Sequence, residues 1–445
     1  MPGTRQPRGY ALAELQLTTF DRQFSAVARV QRPDRYRLID ALPDNLPRIA
    51  RGSGVSYVAA SFGNGAISQD MSAFDRLLAF DNERGLLHVE AGARIGDVER
   101  FLLRHGWYLP IAPGHPAATI GGCIAADVHG KNPARDGTFR NQVEAIELCL
   151  PGAGVRIVAA DDGQDLFDAT CGGFGLTGTI VSATLRLAHA PEALAVRSVP
   201  VANLAEAAQV MREAANVPLL YGWHDGRAKC FGRGVIRIGL ETDAPTRRSR
   251  HAADLPVAIK PMAIPMWNRA GIASANRWLG MRWCKPGQTA IALADALFPL
   301  NDARRYFAGF GHAGFVEAQW LIGHARFASF AGALAELVAR MRPRISLIAS
   351  KLFAGNPVGL SFDGTGIALA IQLPAPMQTR QQAFLEALAE CAIAHGGRPN
   401  LIKQSTLDAS TVRTAITGFD SMREHLRSFA IDGLPQSELT RRINL

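Results

Sequence analysis

Two glycine-rich segments, Arg51-Gly52-Ser53-Gly54-Val55-Ser56-Tyr57 and Pro113-Gly114-His115-Pro116-Ala117-Ala118-Thr119-Ile120-Gly121-Gly122, constrain this chain more than any other feature. Backbone without a Cβ can approach a pyrophosphate closely and aim its N–H groups at the oxygens, and small hydroxyl residues add donors. Either segment alone would read as a pair of tight turns. Neither has the GxGxxG spacing that opens a Rossmann helix, and GxxxxGK[ST] does not occur, so both familiar phosphate-binding folds fall away. Together the two segments predict a phosphate binder of another kind, gripping one dinucleotide from two separated stretches of chain.

Around these segments the apolar pattern alternates between short runs and turns. LLHVEAG (86–92), VEAIELCL (143–150) and TIVSATLRL (179–187) read as strands, and Ile95–Gly106 as a helix with Ile95, Val98, Phe101 and Leu102 on its apolar face and Gly106 at its end. A second helix is expected over 202–215. EAQWLIG (317–323), SLIASKLF (346–353) and GIALAIQLP (366–374) read as strands of one sheet, Gln381–His395 as an amphipathic helix, and 405–445 as a polar, helical tail. At 445 residues the chain exceeds the size at which single cores stop growing. The expected division is 1–195, 196–404 and 405–445, with the boundary near Pro191–Pro200.

The stretch 255–294 differs from its neighbours. It carries Lys260, Arg269, Arg277, Arg282 and Lys285, three tryptophans (Trp267, Trp278, Trp283) and no acidic residue, which predicts a surface-active or mobile segment. The formal net charge of +9 favours anionic partners, but the chain has no zinc-finger or aromatic RNP signature, so nucleic acid is not expected. Six scattered cysteines without a CxxC pair or a histidine cluster predict neither metal nor disulfides. The first residues lack a continuous apolar stretch and no run of 18 apolar residues occurs, so no signal peptide or spanning helix is expected, and the location is cytoplasmic, peripheral at the inner face of the membrane.

Taken in order, RGSGVSY, HVEAGARIGDVERFLLRHGWYLPIAPG, ATIGGCIAADVHGKN and FDATCGGFGLTGTIVSATLRL resemble the FAD-binding domain of the vanillyl-alcohol oxidase and para-cresol methylhydroxylase superfamily. His129-Gly130-Lys131-Asn132, Gly232-Arg233-Gly234-Val235, Gln319, Lys351-Leu352-Phe353 and Gly396-Gly397-Arg398 with Lys403 resemble its decaprenylphosphoryl-β-D-ribose 2-oxidase branch over nearly the whole length. The resemblance implies an α+β fold, with a two-part FAD-binding domain and an antiparallel-sheet cap for substrate. It places Gly52, Ser53, Gly54, Val55, Ser56 and Tyr57 on one side of FAD, and Gly114, Thr119, Ile120, Gly121, Gly122, Ala126, Asp127, Val128 and His129 on the other. Ile180 would lie near the adenine half, and Asn400, where the family carries a tyrosine, beside the flavin. Relatives that attach flavin covalently do so through a histidine where this chain has Val55, so the expected FAD is non-covalent.

By the same resemblance Lys403 is the active-site lysine, which the apolar run before it would partly desolvate, as a base working near neutral pH requires. His129 is expected as its catalytic companion. Lys131, Gln319, Lys351, Trp223 and Tyr57 would face the substrate, the lysines attracting a phosphate and Gln319 bonding sugar hydroxyls. A cysteine of the mycobacterial-type enzymes is replaced here by Ala370. The implied reaction is oxidation of the 2-hydroxyl of a polyprenylphosphoryl-β-D-ribose, with a separate short-chain keto-reductase as partner and quinone or oxygen as electron acceptor. An aldonolactone or alditol oxidase is the alternative.

Overall fold

The computed structural model describes residues 9, 11–42, 46–63, 65–161, 165–244, 259–283, 287–299, 304–429 and 435–445. Its elements are a mixture of helix and strand, an α+β arrangement, organised on four sheets. In the first sheet Leu12–Thr18 runs antiparallel to Ser25–Gln31, while Ser25–Gln31 and Arg48–Arg51 each run parallel to Ile67–Asp70. The second is antiparallel, in the order Leu77–Asp81, Leu86–Glu90, Thr179–Arg186, Val143–Leu150, Gly154–Ala159. Trp107–Tyr108 pairs with Ala188–His189. The helix Ile95–Leu103 buries Ile95, Val98 and Leu102 against the second sheet, the face its three-to-four spacing demands.

The largest sheet has eight antiparallel strands and contains all three strands expected from the second half of the chain. Phe315–Gly323 pairs with Thr365–Pro374, which pairs with Leu347–Ala354. The helices Leu204–Glu213, His324–Met341 and Thr379–Ala394 pack on this sheet through Leu204, Met211, Phe327, Leu334, Phe384 and Leu388. His324–Met341 buries residues every three or four positions and ends where Arg342 adopts φ 44°. Every residue from Phe315 to Ile322 is buried, so this strand reads as a continuous apolar run instead of an alternating one. Two polar residues inside that run, Glu317 and Gln319, therefore need partners within the protein.

The end of the chain returns to the first sheet. Pro435 forms a bridge with Arg48, and the N–H groups of Glu438 and Leu439 donate to Phe62 O at 2.9 Å and Ala59 O at 3.0 Å. Ser437 caps the helix Glu438–Ile443. The basic, tryptophan-rich stretch holds more regular structure than its composition suggests, since it includes the helix Arg269–Trp283 and the strand Gln288–Ala292. Trp267 is in an aromatic core with Phe307, Phe310 and Phe315, and donates to Tyr306 O at 2.8 Å. Lys285 and the side chains of Arg282 and Trp283 lie outside the described residues.

Candidate active site

A cleft of about 1070 Å³ runs between the two glycine segments. Gly52, Ser53, Gly54, Val55, Ser56 and Tyr57 form one wall, and Gly114, Thr119, Gly122, Ala126 and Val128 the other, with Lys403 at one end. The walls touch, because a Cβ on Gly52 would sit 2.2 Å from Thr119 Oγ1. Gly54 adopts φ +71°, a conformation that favours glycine. Thr119 caps the short helix Ile120–Ala125 by accepting from Gly122 N–H at 3.2 Å.

The cleft suits a long polyphosphate-bearing ligand with an apolar end. Among the described residues, the backbone N–H groups of Gly52 to Tyr57 bond to no carbonyl. His115 accepts the Ala117 N–H on Nδ1 at 3.1 Å, and its Nε2 has no hydrogen-bond partner among the described residues. Burial, with the Lys403 cation second, lowers the His115 pKa to about 4, so the ring is neutral and carries its proton on Nε2. Phe20, Phe174, Phe307 and Ile402 supply apolar surface. The free amide donors and the apolar end match a dinucleotide with a fused-ring head.

At the Lys403 end the cleft meets the large sheet. Lys403 Nζ lies 3.6 Å from the Tyr57 ring centroid and 3.7 Å from Glu317 Oε1. Tyr57 is itself stacked on Phe20 and edge-on to Phe315. Glu317 Oε2 accepts from Gln372 Nε2, and Gln372 Oε1 accepts from Tyr306 OH at 2.5 Å, which fixes the carboxylate under the ammonium. The Lys403 side chain is 30 % exposed. The expected desolvation is therefore incomplete, because the residue sits in a turn open to the cleft and its partner is a carboxylate.

Next to Lys403 is a second polar cluster. His129 Nδ1 is 3.0 Å from Lys351 Nζ, which donates to Gly130 O at 2.5 Å. His129 Nε2 is 3.4 Å from Gln319 Nε2. Phe353 and Phe362 pack against the imidazole. Burial first, then the neighbouring lysines, depresses the His129 pKa well below its ordinary value. Lys351 is likewise pushed well down, by burial and then by Lys131 and Lys403. Lys131 is buried, donates to Ala112 O at 3.4 Å and has its pKa lowered to about 8 by burial, against the opposing pull of Glu99.

Several expected site residues stand elsewhere. Ile120 is fully buried behind its helix, and Gly121 packs on Ala91, where a Cβ would be 2.9 Å from the alanine methyl. Asp127 takes φ 42° and turns its carboxylate away from the cleft, accepting from Thr138 Oγ1 at 3.0 Å and from Arg140 N and Nε at 3.0 and 3.2 Å. Ile180 is buried within its strand and does not line the cleft. Trp223 is 4 % exposed inside the large sheet, so it fills the sheet and presents no face to a sugar. Lys131 is walled in by Pro110, Leu219 and Leu297 and does not reach the cleft. Asn400 clamps Gln319 instead of lining the cleft, with Nδ2 donating to Gln319 Oε1 at 2.8 Å and its N–H to Gln319 O at 3.0 Å.

Glu317, His115 and Phe20 were not anticipated. Glu317 had a visible signal, since it stands two residues before Gln319 in an apolar strand and so shares its face. His115 lies inside the second glycine segment. Phe20 follows a hairpin strand remote in sequence, and only the tertiary fold brings it to Tyr57.

Residues 37–159 match the FAD binding domain family. The chain is 28% identical over 412 residues to decaprenylphosphoryl-β-D-ribose oxidase of Mycolicibacterium smegmatis, covering 89% of each protein. It is 28% identical to an uncharacterized protein of Streptomyces coelicolor over 76% of this chain and 96% of the relative. A D-lactate dehydrogenase of Anaerostipes hadrus is 26% identical over 34% of this chain and 33% of its own.

Proposed function

We propose that this chain, which belongs to the FAD-dependent oxidoreductases and to the family that includes decaprenylphosphoryl-β-D-ribose oxidase, oxidises the 2-hydroxyl of a polyprenylphosphoryl-β-D-ribose to the 2-keto sugar. FAD, when bound in the cleft, supplies the acceptor for the hydrogen that leaves C2. The other tasks belong to the protein. Tyr57 and the glycine walls exclude water from the reacting carbon, Glu317 holds the Lys403 ammonium in place, and His129 with Gln319 presents polar atoms to the sugar hydroxyls.

The observation that carries this reading is the crowding of cations. Lys351 has Lys131 and Lys403 as its chief charged neighbours, and both oppose its protonation. An anionic phosphate entering the cleft beside Lys403 would offset the positive charge gathered there, whereas a neutral lactone does not. A division into a flavin domain, a substrate domain and a 405–445 tail is part of the same proposal, with the boundary expected at 195/196 falling inside the strand Ala193–Val201 of the large sheet.

A lipid-bound substrate requires contact with a membrane, although no helix among the described residues is long and apolar enough to cross one. Ile264, Met266, Trp278 and Met281 are 82, 47, 55 and 58 % exposed, on a stretch that also carries Lys260, Arg269 and Arg277 and no acidic residue. This composition suits the headgroup level of an anionic bilayer, here at the cytoplasmic face. The 2-keto product requires a separate reductase, and the reduced flavin requires quinone or oxygen. Anaerobic mixing of the FAD-loaded protein with a short-chain polyprenylphosphoryl-ribose should bleach the flavin absorbance. Bleaching by a free aldonolactone and not by the phospholipid sugar would transfer the assignment to a lactone or alditol oxidase.

A further inference from the structure

We propose that Asn400 is a positioning residue that sets the tautomer of His129, keeping a lone pair on Nε2 and the proton on Nδ1, and thereby leaves Lys351 as a neutral amine. The chemistry of one group fixes the polarity of the rest. A backbone N–H can only donate, and Ile402 N lies 3.2 Å from Asn400 Oδ1. That contact fixes which end of the Asn400 amide is oxygen. Its Nδ2 then faces Gln319 Oε1 at 2.8 Å, so the Gln319 amide is oriented in turn and its Nε2 points at His129 Nε2, 3.4 Å away.

A donor pointing at His129 Nε2 requires a lone pair there, so the neutral ring carries its proton on Nδ1. Nδ1 lies 3.0 Å from Lys351 Nζ. An ammonium at that distance would set N–H against N–H. A neutral amine accepts from Nδ1 and still donates its own N–H to Gly130 O at 2.5 Å. The surroundings agree: Phe353 and Phe362 cover the imidazole, and Lys131 and Lys403 are the nearby cations. Among the described residues Glu317 is the carboxylate that acts on Lys351, from a strand separated from it by Thr365–Pro374, and it is paired with Lys403.

This inference deepens the proposed oxidation and rests on it for its kinetic consequence. When the substrate O–H bond breaks, the proton bonds to His129 Nε2 as Gln319 yields. The Nδ1 proton passes to Lys351, and the resulting ammonium is held by Gly130 O. One proton has moved from substrate to Lys351, and FAD, when bound, would supply the acceptor for the C2 hydrogen and its electron pair. Asn400 touches neither substrate nor cofactor in this scheme and acts only through Gln319.

The test is nitrogen NMR of the FAD-loaded protein with 15N-labelled histidine, the His129 signals being assigned by their loss in His129→Gln. At neutral pH the wild type should show an unprotonated Nε2 and a protonated Nδ1. Asn400→Asp has the same shape but accepts from Gln319 Nε2, which turns Gln319 Oε1 toward the imidazole. Nε2 should then become protonated, and the acid limb of the flavin-reduction pH profile should move to higher pH. Gln319→Glu should produce the same change at Nε2 and guards against poor folding of the first variant. A wild-type His129 protonated on Nε2, or a folded, flavin-loaded Asn400→Asp protein with unchanged His129 signals, would overturn the proposal. The NMR arm uses no substrate, so its failure is distinguishable from failure of the assigned reaction.

Discussion

Replacing Gly52 with alanine tests whether the two glycine walls act as one grip on FAD. The backbone at Gly52 is outside the left-handed region, so a methyl group costs nothing in φ and acts only through space. It would lie 2.2 Å from Thr119 Oγ1 and 3.1 Å from Thr119 Cγ2, and Thr119 is 3 % exposed with no room behind it. The threonine must retreat by roughly 1 Å in a close-packed interior. Two terms follow. Overpacking of this kind costs about 1–3 kcal/mol, and loss of the hydrogen bond by which Thr119 caps its helix costs about 1 kcal/mol. If the whole of that roughly 2–4 kcal/mol falls on the cleft, FAD affinity drops by about 30-fold to 1000-fold at 1.4 kcal/mol per decade. Titration of apoprotein with FAD, followed by quenching of flavin fluorescence, measures this directly. Gly280→Ala is the control, because a Cβ there meets nothing within 4 Å. A Gly52→Ala protein that binds FAD within about threefold of wild type, with unchanged thermal stability, would refute the coupling of the two walls.

Other outcomes follow from the same geometry. Lys403→Met should slow flavin reduction by about 10²–10³-fold, the range for removing one fixed group that stabilises developing negative charge, and stopped-flow absorbance would show it. Acid precipitation of the holoprotein should release all flavin to the supernatant, since Val55, in the first glycine wall, has no nucleophilic atom; colour left on the pellet would contradict this. Burial raises the pKa of Glu99 from 4.5 to about 8. The folded state therefore holds the proton more tightly than the unfolded one, and this contribution is present below pH 4.5 and lost as pH rises to about 8. Glu99→Gln should flatten the fall in melting temperature between pH 5 and about 8, and an unchanged slope would show that Glu99 is not buried as described. Trp278→Ala combined with Met281→Ser should reduce sedimentation with phosphatidylglycerol vesicles while leaving FAD content unchanged; binding at the wild-type level would remove this helix from membrane contact.

The glycine walls were legible in the chain because the physics that selects them is local. A backbone that takes a positive φ or packs closely on a neighbour favours glycine, and this leaves a mark at Gly54, with φ +71°, and at Gly52, which packs on Thr119. The amphipathic helix at Ile95–Leu103 was legible because its periodicity records which side is dry, and the strands at Val143–Leu150 and Thr365–Pro374 because their apolar runs mark largely buried chain. Lys403 and Gln319 came from resemblance, and the structure places both at the cleft or beside it. Expectations were weakest where a residue's neighbours come from distant sequence. Lys131, Trp223 and Asp127 have side chains suited to a ligand, yet the fold gives them protein partners or apolar walls. Asn400 looked like a cofactor contact and instead aims Gln319.

By itself, then, the amino-acid order pointed to the α+β class and to FAD, and set two glycine segments and a non-nucleophilic Val55 in place, each of which depends on the kind of side chain present at a position. Only the tertiary structure decided that Glu317 holds Lys403, that His115 leaves a nitrogen unpartnered, and that Asn400, Gln319, His129 and Lys351 are joined in one directional chain. Hydrogen-bond direction and the pKa of a buried amine depend on which donors, acceptors and charges lie within a few ångströms. In this protein those groups come from strands and turns as far apart in sequence as Gly130 and Lys351.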